Sequence, residues 1–373
     1  MTRRTLLLVA VLALVPAIRL VPPAPSAQQA AASRLPARLS GSEFFKLSAE
    51  LSEAGGYFRS DNLVSNEQFM QRVIPELTRT VKAGRAYLGV GPEQNFTYIA
   101  AIRPAMAFII DIRRGNTQLH LMYKALFELS SDRADFVSRL FSLKRPAGLT
   151  RKSTVEEIFS AYRDSKLQSS ELYKQNLAAI RRLYIRQNPP GLAAEDLKGI
   201  EGIYETFYTR GLEIHYEVTP GSAGAFPTYA DVMVATDGSV PRGFLATEES
   251  FAFVKDLQAR NLVVPVVGNF AGPKAIRAIA KYLKAHGAVV SAFYVSNVEQ
   301  YLTREGGLEE FCANASMLPL DDTSTFIRSE RGGFPPRFGR TQPSRAQPNR
   351  GAFGGNFSSK LWNMLADLKE CTK

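Results

Sequence analysis

Gly89, Gly91, Glu93, Asn95 and Asp111 are the residues of this chain whose types and spacing suit the binding of a small molecule. Without a Cβ, Gly89 and Gly91 let the backbone bend tightly and approach a ligand. Asp111 follows Gly91 by 20 residues, the distance at which a carboxylate meets both hydroxyls of a ribose in a strand–turn–helix–strand unit. The plainer alternative is a tight turn followed by a surface acid. Glu93 bears on the charge of any ligand. A dinucleotide seats its pyrophosphate at the N-terminus of the helix after the turn, and a carboxylate there repels it. S-adenosylmethionine has no phosphate, and its sulfonium and ammonium are attracted to a carboxylate by on the order of 4 kcal/mol at about 4 Å and an effective dielectric near 20. A first-turn acid also favours the helix dipole with no ligand at all, and both readings of Glu93 stand.

The elements that must hold these residues are legible as apolar runs. Residues 86–90 and 106–110 read as buried strands, with a helix between them and Asp111 at the tip of the second. A helix with Leu119, Met122, Tyr123, Leu126 and Phe127 on one side follows. Strand-like runs return at 262–267, 288–295 and 324–328. Between the first two of these, Gly272-Pro273 opens a helix and His286-Gly287 closes it, with Ile276, Ile279, Ala280 and Leu283 as its apolar stripe. Residues 131–210 offer no good strand and read as a helical insertion. Alternating strands and helices predict an α/β fold, Rossmann-like, with a mostly parallel, doubly wound sheet covered by helices on both faces. Pro265 is awkward inside its strand, because a proline belongs at a strand end, an edge or a bulge.

The order YLGVGPEQNFTYIA, AFIIDI, VVPVVGNF and VSAFYVSN resembles the core of class I S-adenosylmethionine-dependent methyltransferases, over roughly residues 85–112 and 262–328. The runs SDNLVSNEQF, YLGVGPEQNFTYIA and NFAGPKAIRA are also similar to an uncharacterised bacterial family with no assigned reaction. The resemblance implies that Gly89 and Gly91 meet the methionine part of the cofactor and Asp111 its ribose. The chain departs from the pattern twice. Tyr87 stands where an acid two places before the first glycine is usual, and Glu93 replaces the third glycine, where it would substitute for that acid. With methyltransferase strand order, the first strand would neighbour the one ending near Gly268-Asn269. Asn269 would then face a methyl acceptor, and Ser60-Asp61-Asn62 would fold over it. Methyl transfer needs chiefly in-line positioning, so an obvious acid–base pair is not required.

Composition limits the alternatives. The 373 residues carry a formal charge of +11, but five arginines and no acid lie in residues 1–40, and another five in 331–357. Residues 358–373 add one positive charge, which leaves the body from 41 to 330 neutral. Nucleic acid is therefore not an expected partner of the body, which would need a basic face; a small-molecule ligand is. Residues 1–32 combine Arg3-Arg4, a short apolar run and small residues in the order of a secretory signal peptide. That predicts export to the periplasm or beyond, or an inner-membrane anchor if the leader is not cleaved, with no other membrane contact. Residues 331–357 read as a low-complexity linker and 358–373 as a C-terminal helix carrying Leu361, Met364, Leu365 and Leu368 on one side. Cys312 and Cys371 could pair in an exported protein, though their spacing does not place them together. His120, His215 and His286 lack ligand spacing, so no metal is expected. Three functions fit: a methyltransferase using S-adenosylmethionine, an exported non-catalytic binding protein on the same fold, and a nucleotide-dependent oxidoreductase.

Overall fold

A computed structural model describes residues 35–187, 192–217, 226–331 and 357–371. The chain opens with α1 (Gly41–Leu51) and α2 (Ile74–Thr80), followed by β1 (Ala86–Gly89), α3 (Gln94–Ile102) and β2 (Met106–Asp111). Seven helices come next: α4 (Arg114–Leu129), α5 (Arg133–Phe141), α6 (Val155–Ala161), α7 (Ser170–Gln187), α8 (Ala194–Arg210), α9 (Tyr229–Val234) and α10 (Glu248–Ala259). Then follow β3 (Val263–Val267), α11 (Ala275–Ala285), β4 (Val290–Ser296), α12 (Val298–Glu305), α13 (Leu308–Ser316), β5 (Thr325–Arg331), β6 (Phe357–Asn363) and α14 (Met364–Cys371).

The fold is α/β. One six-stranded sheet runs in the order β3-β2-β1-β4-β5-β6, parallel throughout except for β6, which lies antiparallel to β5. The first three strands are buried along their whole length, as expected of parallel strands covered on both sides. The five apolar runs read from the sequence are the five parallel strands. Their neighbours differ from expectation: β1 lies between β2 and β4, and β3 sits beyond β2, so the strand ending near Gly268 does not touch β1. Apolar periodicity identifies a strand but carries no information about its neighbours.

The edge position of β3 also accounts for Pro265. This proline pairs in register with Ile109, while its carbonyl accepts the Ser48 hydroxyl of α1 at 2.5 Å. The missing N–H lies on the outer side of the edge strand, where no ladder bond is lost. Segment 52–56 continues along that edge, with Glu53 N–H donating to the Val267 carbonyl at 2.8 Å and Gly56 N–H to the Ile112 carbonyl at 2.7 Å.

Among the described residues between β2 and β3 the elements are helices, and the insertion reaches past residue 210 as far as α10, with isolated bridges at Leu143–Gln168 and His215–Thr228. Its core is aromatic. Phe96, Phe127, Phe136, Phe244 and Phe251 pack in edge-on and offset pairs with centroids 4.6 to 6.0 Å apart, each pair adding about 0.5–1.5 kcal/mol beyond area burial. Helix α11 matches its predicted stripe, with Ile276, Ile279, Ala280 and Leu283 buried.

The C-terminal region corrects the sequence reading. Residues 358–363 were expected in a helix but belong to β6, and only Met364–Cys371 is helical. Pairing along β5 supplies the hydrogen bonds that this short polar run could not make alone. The expected linker 331–357 lies outside the described residues except for its two ends, Arg331 and Phe357, which pair as strand residues. The expected leader, residues 1–32, also lies outside them. Cys312 and Cys371 form a disulfide between α13 and α14, with Cα atoms 5.9 Å apart. Among the described residues no helix is long and apolar enough to cross a membrane.

Candidate functional site

The turn after β1 is built from its own side chains. Gly91 has φ +77°, a conformation glycine adopts without strain. Asn95 in the first turn of α3 ties the bend together, its Nδ2 donating to the carbonyls of Val90 (2.9 Å), Gly91 (3.2 Å) and Pro92 (2.8 Å). Its Oδ1 accepts the Tyr87 hydroxyl at 2.8 Å. A Cβ on Gly89 would stand 1.9 Å from that same Oδ1. Gly89, Tyr87 and Asn95 thus form a buried brace beneath the turn, and neither Gly89 nor Asn95 reaches the ligand space expected for it. Tyr87, noted only as a departure from the acidic pattern, is the third member of the brace.

A cleft of about 140 Å³ opens where the carboxyl ends of four parallel strands converge. That is room for on the order of ten water molecules. Val90 and Gly91 line it from the end of β1, Asp111 to Arg113 from β2, Gly268 to Phe270 from β3, and Ser296 to Val298 from β4. Tyr57, Phe58 and Asn62 close one side, and Tyr301 of α12 faces them, with the rings of Phe58 and Tyr301 5.2 Å apart, edge to face. Of the residues singled out in the sequence, Gly91, Asp111, Asn62 and Asn269 meet in this one cleft. Asn269 uses its Oδ1 to accept Ala271 N–H at 3.0 Å, and Asn62 takes a left-handed φ of +52°. Asp61 is exposed and outside the lining; its contribution is its carbonyl, which accepts from Arg113.

Asp111 is buried and already paired. Its Oδ1 accepts Arg113 N–H (2.9 Å) and Nε–H (3.0 Å), and its Oδ2 accepts from the terminal nitrogen Nη2 at 2.8 Å. The other arm of Arg113 donates to the carbonyls of Ser60, at 3.2 Å, and Asp61. Arg113 therefore neutralises the acid and fastens the N-terminal strap to the tip of β2. Three of the roughly four acceptor sites of a carboxylate are filled, which leaves one for a ligand hydroxyl. Among the described lining residues Arg113 is the only cation, and its charge is spent within the protein.

Glu93 does not reach the cleft. It occupies the N-cap position of α3 with its side chain wholly buried. Oε1 accepts Ser65 N–H at 3.0 Å, and Oε2 has no partner. Burial raises its pKa to about 7, with the Ser65 hydrogen bond opposing. Burial, with nearby Glu93 adding to it, raises the pKa values of Tyr123 and Tyr229, which places this acid close to the helical insertion. His120 lies nearby, its Nε2 on the Gly91 carbonyl at 2.9 Å, and burial lowers its pKa to about 4. The turn rotates position 93 away from the crevice, a direction that spacing alone does not report.

An acid that sequence reasoning passed over lies behind the cleft instead. Glu67 accepts the Tyr294 hydroxyl at 2.5 Å and the Ser296 hydroxyl at 2.7 Å, both through Oε1. Burial pushes its pKa up, while hydroxyls including those of Ser329, Tyr294, Ser296 and Ser359 act to lower it. Gln94, on the cleft wall, donates from Nε2 to the Tyr294 oxygen at 3.1 Å. The available signal was an acid ending the polar run SDNLVSNE just before a hydrophobic stretch. No group of three or more His, Cys, Asp or Glu side chains suited to a metal occurs among the described residues.

Compared with known proteins, the chain matches none of the curated ones. The model of a domain family of unknown function, DUF7790, matches residues 62–350. That stretch holds the turn, the tips of all four strands around the cleft, and Glu67, and it is well over half of the chain, so the protein belongs to the DUF7790 family.

Proposed function

We propose that the cleft binds S-adenosylmethionine and that the protein transfers its methyl group to an acceptor seated near Asn269. The observation that carries this reading is the convergence of four parallel strand tips on one cleft, with the Gly91 bend and the Asp111 carboxylate both in its lining. The order β3-β2-β1-β4-β5 fits a Rossmann-like, doubly wound arrangement, in which ligands bind beyond the carboxyl ends of the strands where the order reverses. Here the reversal falls between β1 and β4. The antiparallel β6 is a departure from that pattern.

Charge supports an adenosyl sulfonium over a dinucleotide. A pyrophosphate is favoured by unspent positive charge, whereas Arg113, the only cation among the described lining residues, is committed to Asp111, and Glu67 stands behind the wall. That weighs against the nucleotide-dependent oxidoreductase. An exported, non-catalytic binding protein is the second reading, favoured by the fact that Asp111 is satisfied by Arg113 without any ligand. With residues 1–32 as a leader, a methyltransferase would act before export or at the inner face of the membrane.

Calorimetric titration of the full chain with S-adenosylmethionine, S-adenosylhomocysteine and NADH tests the proposal. Micromolar binding of the two adenosyl compounds, weakened at least tenfold by Asp111→Ala, is expected. Tight NADH binding would reverse the ranking, and an absence of binding by all three would leave the binding-protein reading.

A further inference from the structure

Ligand polarity at the floor of the cleft follows from the direction of its hydrogen bonds. The Tyr294 and Ser296 hydroxyls both donate to Glu67 Oε1, at 2.5 and 2.7 Å. The Tyr294 oxygen is then free to accept, and Gln94 Nε2 donates to it at 3.1 Å and to the Val90 carbonyl at 3.4 Å. With its nitrogen so used, Gln94 is left with Oε1, which is buried and has no partner. Ser296 likewise keeps only lone pairs for the cleft that it lines. Its backbone is held at φ +49°, a left-handed conformation uncommon for a residue with a Cβ and a frequent mark of functional sites. The wall between the β1 turn and the tip of β4 therefore offers hydrogen-bond acceptors backed by a buried acid.

We infer that Glu67 is a specificity-determining positioning residue: through Tyr294, Gln94 and Ser296 it makes this end of the cleft a seat for a hydrogen-bond-donating ligand group, an ammonium or a hydroxyl. The inference rests on the adenosyl reading for the rest of the ligand. It selects ligands that carry a protonated donor at this end over ligands that end in a methyl or an anion, because a buried acceptor left unpaired costs about 1–3 kcal/mol.

The test compares S-adenosylhomocysteine, which carries an α-ammonium, with 5′-methylthioadenosine, which shares the adenosine and lacks the amino-acid end. Titrations use the full chain as wild type, Glu67→Gln and Ser296→Gly. Glycine suits the left-handed backbone at position 296, so the second variant removes the hydroxyl without a folding penalty from that backbone. Each substitution is expected to weaken S-adenosylhomocysteine at least tenfold and methylthioadenosine less than twofold. Equal losses for both compounds, or no loss for either, would overturn the inference and leave the adenosyl reading intact. Should neither compound bind the wild type, the adenosyl reading falls. n-Butylammonium and catechol then test the seat alone by thermal shift. Stabilisation by either one, abolished in Ser296→Gly, upholds the inference and tells an ammonium from a hydroxyl, while stabilisation by neither overturns it.

Discussion

Asp111 and Arg113, two residues apart at the tip of β2, are joined by both carboxylate oxygens and two guanidinium nitrogens at 2.8 to 3.0 Å, and the same guanidinium holds the carbonyls of Ser60 and Asp61. The pair is buried, so removing one partner strands the other. Arg113→Met is expected to destabilise the protein by about 3–5 kcal/mol and to expose the strap around residue 60 to protease. Denaturant unfolding and limited proteolysis would measure both. Asp111→Asn combined with Arg113→Met should be milder than Arg113→Met alone, and a double variant that is worse would contradict the pairing.

Gly89 and Asn95 occupy a shared volume. A Cβ at position 89 would evict the Asn95 side chain, and with it three carbonyl contacts and the Tyr87 hydroxyl bond. Gly89→Ala and Asn95→Ala should each cost about 3 kcal/mol or more. Because the first acts largely through the second, the double variant should be about as stable as Asn95→Ala alone. Full additivity in a double-mutant cycle would refute this coupling.

Glu93 makes stability fall with rising pH. Its folded pKa of about 7 lies above the ordinary 4.5, so the folded state holds this proton more tightly than the unfolded chain does. The stabilisation is complete below about pH 4.5 and is lost as pH rises through 7. Glu93→Gln should be near neutral at pH 5 and more stable than wild type at pH 8, by about 3 kcal/mol at most. Unfolding curves across that range would show whether the two proteins diverge.

The Cys312–Cys371 bridge spans 59 residues of chain. Closing a loop of that length removes entropy from the unfolded state worth about 4 kcal/mol. Reduction, or Cys371→Ser, should lower the melting temperature and release α14 first, which hydrogen exchange on residues 364–371 would report.

Much of this architecture is legible in the chain. All five parallel strands announce themselves as apolar runs, and the stripe of α11 is the one its spacing predicts. The sixth strand is not legible, because Ser358-Ser359-Lys360 is polar and becomes a strand only when β5 supplies its partners. Gly91, Asp111, Asn62 and Asn269, singled out in the sequence, line one cleft, though Asn269 reaches it from a strand that does not adjoin β1. Glu93 and Glu67 are the two acids that spacing does not place. Spacing puts Glu93 beside the turn, yet the helix start points it inward, while Glu67 comes from a distant segment whose path only tertiary packing sets. Nor does sequence spacing report that the Arg113 guanidinium joins the strap at Ser60 and Asp61 to the tip of β2.

The antiparallel β6 has a bearing on biosynthesis. It emerges from the ribosome after the other five strands, so β5 waits with an open row of peptide groups beside the aromatic side of Phe326 until its partner arrives. Such unpaired edges invite pairing between chains. Copies folding side by side are exposed to that hazard until residues 357–363 dock on β5.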